Sequence, residues 1–103
     1  MARGSGETQP EGGHVTVRYW AAARGAAGVD EDMLDVDGTV TLASLLARVQ
    51  ALHSAEPGHA GIGPVLAVCS VLVGDRPVTS ADPADVVVAP GSVVELLPPF
   101  AGG

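Results

Sequence analysis

The sequence predicts an α+β fold in which one main helix packs across one face of a mixed sheet of four or five strands. Three observations point to it. One long stretch carries apolar residues at helical spacing, four or five short runs carry strand patterns, and turn dipeptides separate them. At 103 residues the chain has room for one domain with a single core and little to spare for a deep catalytic cleft.

The elements follow in order. Residues 1–13 hold Gly, Glu, Pro, Ser and Thr without periodicity, a composition that buries too little surface to offset its ordering entropy, so a disordered tail is expected. From His14, "HVTVRYW" sets Val15, Val17 and Tyr19 in alternation with Thr16, Arg18 and Trp20, the period of a half-buried strand. "AAARGAAG" reads as a loop. "EDMLDVD" supplies a second alternating run, with Met33 or Leu34 and then Val36 as its apolar members, ending at the turn signal Asp37-Gly38. In "TVTLASLLARVQALH" the residues Leu42, Leu45, Leu46, Val49 and Leu52 share one helical face, and Thr39 or Thr41 stands where a cap is needed. "VLAVCSVLV" reads as a strand buried on both faces, and Gly74-Asp75 suits a two-residue hairpin into "RPVT". "SADPADVVVAPGS" is a connector with a short β-like run. Pro90-Gly91 fits the centre of a type II turn, after which "VVELL" forms the last strand. The domain therefore spans residues 14–97, with the first and last strands expected as central neighbours.

Composition narrows the function classes. Twelve acidic residues against five arginines and no lysine give a formal charge of −7, which argues against nucleic acid and anionic membranes and allows steering toward a basic protein partner. A single cysteine, Cys69, excludes an internal disulfide, a CxxC redox pair and a zinc site of several thiolates; within its apolar run it reads as core filler. No apolar stretch approaches the roughly eighteen residues of a membrane span, and the opening residues lack the hydrophobic region of a signal peptide. A cytoplasmic protein is expected.

Sharper readings of the remaining residues fail. "GHAGIG" reverses the glycine order of the dinucleotide fingerprint, and without a lysine there is no phosphate-binding P-loop. His53 and His59 lack a third ligand at metal spacing, and read as solvated or cap-associated. Asp82, Asp85 and Glu95 read as solvated carboxylates rather than an acid/base set. Trp20 alternates opposite the core positions, which puts it on the sheet's outer face, where exposed aromatics mark partner contacts.

The informative stretch is the ending, "VVELLPPFAGG". Pro98 and Pro99 donate no ladder hydrogen bond and fix their own φ, so they end the strand and hold the chain extended. The arm 98–103 could then reach roughly 20 Å at about 3.3–3.6 Å per residue, enough to enter another protein's active site. Gly102 and Gly103 let a narrow channel grip the backbone closely, and Phe100 could anchor its entrance.

"PGSVVELLPPFAGG", together with "VTVRYWAAARGAAG" and the Thr-capped Leu-rich helix, resembles the molybdopterin synthase small subunits, which are ubiquitin-like β-grasp sulfur carriers. The similarity runs from about residue 14 to residue 103. The resemblance implies that an ATP-dependent adenylating enzyme activates the Gly103 carboxylate and that sulfur from a desulfurase or rhodanese-type donor converts it to a thiocarboxylate. The large synthase subunit would then draw on that sulfur. It implies further that Gly102 gives close access at the tip, that Pro98, Pro99, Phe100 and Ala101 line the inserted arm, and that no cofactor is bound, ATP being used by the partner. "APGSVV" and "VGDRPV" depart from the acidic or Asn-containing turns common in such carriers, a difference that bears on which partner is recognised. Three other readings remain beside this one: a carrier for thiamine, cysteine or thiolated-RNA synthesis, a ubiquitin-like protein modifier, and a β-grasp interaction module whose Gly-Gly is incidental.

Overall fold

The computed structural model describes residues 13–54, 61–79 and 82–99. Within them the elements run β1 (Gly13–Tyr19), α1 (Ala21–Ala27), β2 (Glu31–Val36), β3 (Val40–Thr41), α2 (Leu42–Leu52), α3 (Gly63–Leu66), β4 (Ser70–Val73) and β5 (Arg76–Val78). A 3-10 turn (Pro83–Asp85), β6 (Val87–Val88) and β7 (Val93–Leu97) complete the order. Five strands make one mixed sheet in the order β2-β1-β7-β4-β5, with β1 and β7 parallel and every other pair antiparallel. The two-residue strands β3 and β6 pair separately. The main helix on a mixed five-stranded sheet is the α+β arrangement that the patterning predicts.

Strand alternation builds the core. Val15, Val17 and Tyr19 of β1, Leu34 and Val36 of β2, and Val94 and Leu96 of β7 are buried on one face, where Leu42, Leu45 and Val49 of α2 join them with Ala23, Ile62 and Val88. The alternative at β2 resolves to Leu34; Met33 points the other way and is 60% exposed. Thr41, not Thr39, caps α2: its Oγ1 accepts the Ser44 N–H at 3.1 Å, and the Ser44 hydroxyl donates to the Thr41 carbonyl at 2.8 Å. Leu46 is half-buried and Leu52 is exposed, so the helix's apolar face is narrower than its spacing suggests.

Two readings need correction. "AAARGAAG" is a helix, α1, rather than a loop: alanine is the best helix former, Ala23 packs into the core, and Gly28 closes the last turn. Gly28 takes φ +80°, the left-handed conformation of a helix stop, and its N–H donates to the Arg24 carbonyl at 2.8 Å. "VLAVCSVLV" is not one strand. Pro64 opens the short helix α3, a position where its missing N–H costs nothing, and only Ser70–Val73 pairs in the sheet, half-buried rather than sealed on both faces. Cys69, between the two, is half-buried against the core, and burial raises its thiol pKa.

The turns behave as their residues require. Gly74-Asp75 joins β4 to β5 with Val73 opposite Arg76. Gly91 takes φ +89°, as the third position of a type II turn demands, and the Ser92 N–H closes the turn on the Ala89 carbonyl at 3.2 Å. Gly13 belongs to β1, opposite Val36, so the strand starts one residue before its expected boundary. Of the tail read at residues 1–13, residues 1–12 lie outside the described residues. No helix among the described residues is long and apolar enough to cross a membrane.

Candidate functional site: the exit of the central strand

Strand β7 sits in the middle of the sheet and is held on both flanks. Its residues Val93 to Leu96 lie beside Thr16 to Tyr19 of β1, and Val94 to Leu97 lie beside Val73 to Ser70 of β4. Val94 and Leu96 are fully buried, which fixes the register, because a one-residue slip would turn both outward. The Trp20 N–H makes a further rung, donating to the Leu96 carbonyl at 3.2 Å. Pro98 then follows half-buried and Pro99 exposed; neither has an N–H, so the ladder stops here. Phe100, Ala101, Gly102 and Gly103 lie outside the described residues.

Trp20 stands beside this exit and is 37% exposed, as its place in the alternation predicts. The Arg18 guanidinium lies 5.0 Å from the Trp20 ring centroid, a cation–π contact of about 0.5–1 kcal/mol at an exposed site. Arg18 Nε is also 3.7 Å from Glu31, and Arg18 faces Glu95 across the β1–β7 ladder. Parity puts Val93, Leu97 and Leu72 on this same outer face, all half-buried. The exit is therefore bordered by apolar side chains with one cation between two carboxylates.

The other residues considered for chemistry do not assemble. Asp82 is exposed and caps its own 3-10 turn, its Oδ1 accepting the Ala84 N–H at 2.9 Å, while Asp85 lies within that turn and Glu95 sits mid-sheet on the outer face. Among the described residues no group of three or more His, Cys, Asp or Glu side chains could hold a metal. His59 lies outside them.

Sequence reasoning missed one polar cluster. His53, the residue closing α2, is largely buried, and its Nε2 lies 2.6 Å from Asp32 Oδ2. The Tyr19 hydroxyl donates to that same oxygen at 2.7 Å, and the Tyr19 and His53 rings meet edge to face at 5.6 Å. Burial first, then the hydrogen bond to Asp32 and its charge, push the Tyr19 phenol well above its ordinary range. The signal was present: Tyr19 and Asp32 both fall on inward positions of their strands. This cluster ties β1 and β2 to the end of α2, and a phenol held protonated there serves structure rather than nucleophilic attack.

The five-stranded order with parallel first and last strands and one main helix defines the ubiquitin-like β-grasp class. Within that class the ThiS family profile matches residues 17–103, and the chain belongs to that family. Solved structures share the fold at low identity. A Haloferax volcanii protein is 22% identical with a TM-score of 0.68, over 100% of this chain and 99% of that one. Small archaeal modifier protein 1 of H. volcanii is 20% identical with a TM-score of 0.62, over 85% and 99%. A complex of subunits 1 and 2 of the molybdopterin-converting factor of Helicobacter pylori contains a chain 23% identical with a TM-score of 0.59, over 87% and 99%. A comparison with curated proteins finds no match.

Proposed function

We propose that this protein is a sulfur carrier and the small subunit of molybdopterin synthase, whose Gly103 carboxylate is adenylated and converted to a thiocarboxylate. A carboxylate is a poor electrophile, because its negative charge and resonance resist attack. Adenylation by an ATP-using partner enzyme supplies AMP as leaving group. The terminal sulfur of a desulfurase or rhodanese-type persulfide displaces it to form an acyl disulfide, and a second thiol attacks the donor's sulfur, forming a disulfide with it and leaving the thiocarboxylate. The charged thiocarboxylate then hands its sulfur to the precursor bound by the large subunit. The single observation carrying this reading is the run Pro98-Pro99-Phe100-Ala101-Gly102-Gly103 placed directly after the central strand of a ThiS-family domain. In its support, the H. pylori neighbour was solved as a complex of subunits 1 and 2.

The protein performs no catalysis alone in this scheme. Gly103 carries the sulfur, Gly102 allows close approach at the tip, Pro98, Pro99, Phe100 and Ala101 fill the partner's channel, and Trp20 contacts the partner beside the exit. The charge of −7 steers the domain toward basic partners.

Incubation with an adenylating enzyme, ATP and a sulfur donor will exchange one terminal oxygen for sulfur, read by intact-protein mass spectrometry. Deleting Gly102 and Gly103 will abolish the exchange. An unchanged mass beside a working control carrier sinks the proposal. Co-purification of a different large partner would assign the carrier to thiamine, cysteine or RNA thiolation. Similarity to small archaeal modifier protein 1 favours a second reading, a protein modifier, which would show as covalent higher-mass adducts in cells. The 103 residues contain no lysine, so such adducts would not extend into isopeptide-linked chains of this protein.

A further inference from the structure

The two edges of the five-stranded sheet are built differently. At one edge, β5 is three residues long and its middle residue, Pro77, has no N–H to offer, a common way of closing an edge. At the other, β2 runs six residues without a proline. Its ladder defines which backbone groups remain open. The N–H groups of Thr16 and Trp20 point to β7, and the Tyr19 N–H donates to the Asp30 carbonyl at 2.9 Å, so odd-numbered residues of β1 face β2. Their partners across the ladder are Leu34 and Asp32. The backbone groups of Glu31, Met33 and Asp35 therefore point away from the sheet. Among the described residues one side chain meets them: the Arg48 guanidinium donates to the Asp35 carbonyl at 2.6 Å.

Beside this edge lies a groove of about 470 Å³ between β2 and the last turns of α2, lined by Asp32, Met33, Leu34, Asp35, Arg48, Ala51 and Leu52. Leu52 is 56% exposed over it. Along the strand's outer face stand Glu31 and Asp35, flanking Met33, with Asp30 and Asp37 at the two ends.

We propose that the β2 edge and this groove bind an extended segment of a partner protein as a sixth strand, with basic side chains alternating with apolar ones. The backbone of the segment completes the open bonds of Glu31, Met33 and Asp35. Strand alternation then sends one set of its side chains over Leu34, Ala51 and Leu52 and the other set past Glu31 and Asp35. The first set must be apolar and the second cationic. A second copy of this chain is the wrong occupant, because two β2 edges would bring like charges face to face. Arg48 holds the edge when it is vacant and must swing off the Asp35 carbonyl to admit the segment. This site is separate from the arm and does not depend on the sulfur-carrier reading.

The test uses the full chain, isotope-labelled for NMR, and a capped octapeptide of alternating valine and lysine. Amide signals of Glu31, Met33 and Asp35 should shift on titration. Of two N-methylated versions, one blocking each backbone edge of the peptide, one should bind roughly tenfold more weakly than the parent. A valine and glutamate octapeptide should not bind, Leu52→Asp should weaken the parent peptide by a similar factor, and Arg48→Ala should tighten it. Absence of shifts at millimolar peptide, equal binding of both N-methylated versions, or shifts centred on Arg18 and Glu95 would overturn the proposal. So would a dimer of the free protein in sedimentation that Met33→Lys dissolves, since a second copy would then occupy the edge.

Discussion

Raising the pH tests the buried cluster directly, because Tyr19 is the chain's single tyrosine and phenolate absorbance reports it alone. Its side chain is buried, with the residue 2% exposed, and its hydroxyl is spent on Asp32, so ionisation in the folded state would set a phenolate against a carboxylate. The folded phenol therefore titrates above the unfolded value of about 10. A pKa raised on folding means that the unfolded chain sheds its proton first. The stabilisation is fully present below pH 10 and is lost as the pH rises beyond it, by about 1.4 kcal/mol per pH unit. By pH 12 the accumulated loss is about 2.7 kcal/mol, a large share of the roughly 5–15 kcal/mol typical of a domain. Without lysines, Cys69 is the other side chain titrating in this range; burial raises it too, so it adds loss of the same sign from a lower pH. Urea unfolding followed by circular dichroism at successive pH values measures the slope, and Tyr19→Phe should remove the part that begins near pH 10. Phenolate appearing near pH 10 while the dichroism stays native would refute the reasoning.

Further outcomes concern the scaffold. Leu45→Ala removes a fully buried side chain from α2 and should lower unfolding free energy by about 2–5 kcal/mol in chemical denaturation. Thr41→Ala takes away the bond to the Ser44 N–H and should cost about 1 kcal/mol, visible as a lower melting temperature. Gly91→Ala forces a Cβ into φ +89° in the turn before β7 and should cost about 1–2 kcal/mol by the same assay.

The elements with clear periodicity were legible. β1 and β7 alternate over a sheet with one covered face, α2 repeats its leucines at helical spacing, and Pro90-Gly91 specifies its turn by the φ it needs. Helix α1 was hidden because Gly25 interrupts it and alanine carries no apolar stripe, so the residue that settles its burial, Ala23, looks like its neighbours. Helix α3 was hidden by a run of valines and leucines whose period cannot tell a strand from a buried turn of helix, although Pro64 marked its start. For the Tyr19–Asp32–His53 cluster, strand parity put Tyr19 and Asp32 on the inward face, but these residues lie 13 and 21 positions apart, and spacing over such separations does not say which of them meet. The end of the β7 ladder was readable from Pro98 and Pro99 because proline acts through its own covalent ring, without help from tertiary context.

Holding the exit strand between two neighbours has a mechanical consequence. Any partner that grips the residues after Pro99 and draws on them loads β7 along its own axis, so the rungs to β1 and to β4 are sheared together instead of being unzipped singly from one side. Load applied at the C-terminal end of β7 is therefore shared by the ladders on both of its flanks instead of being borne by one.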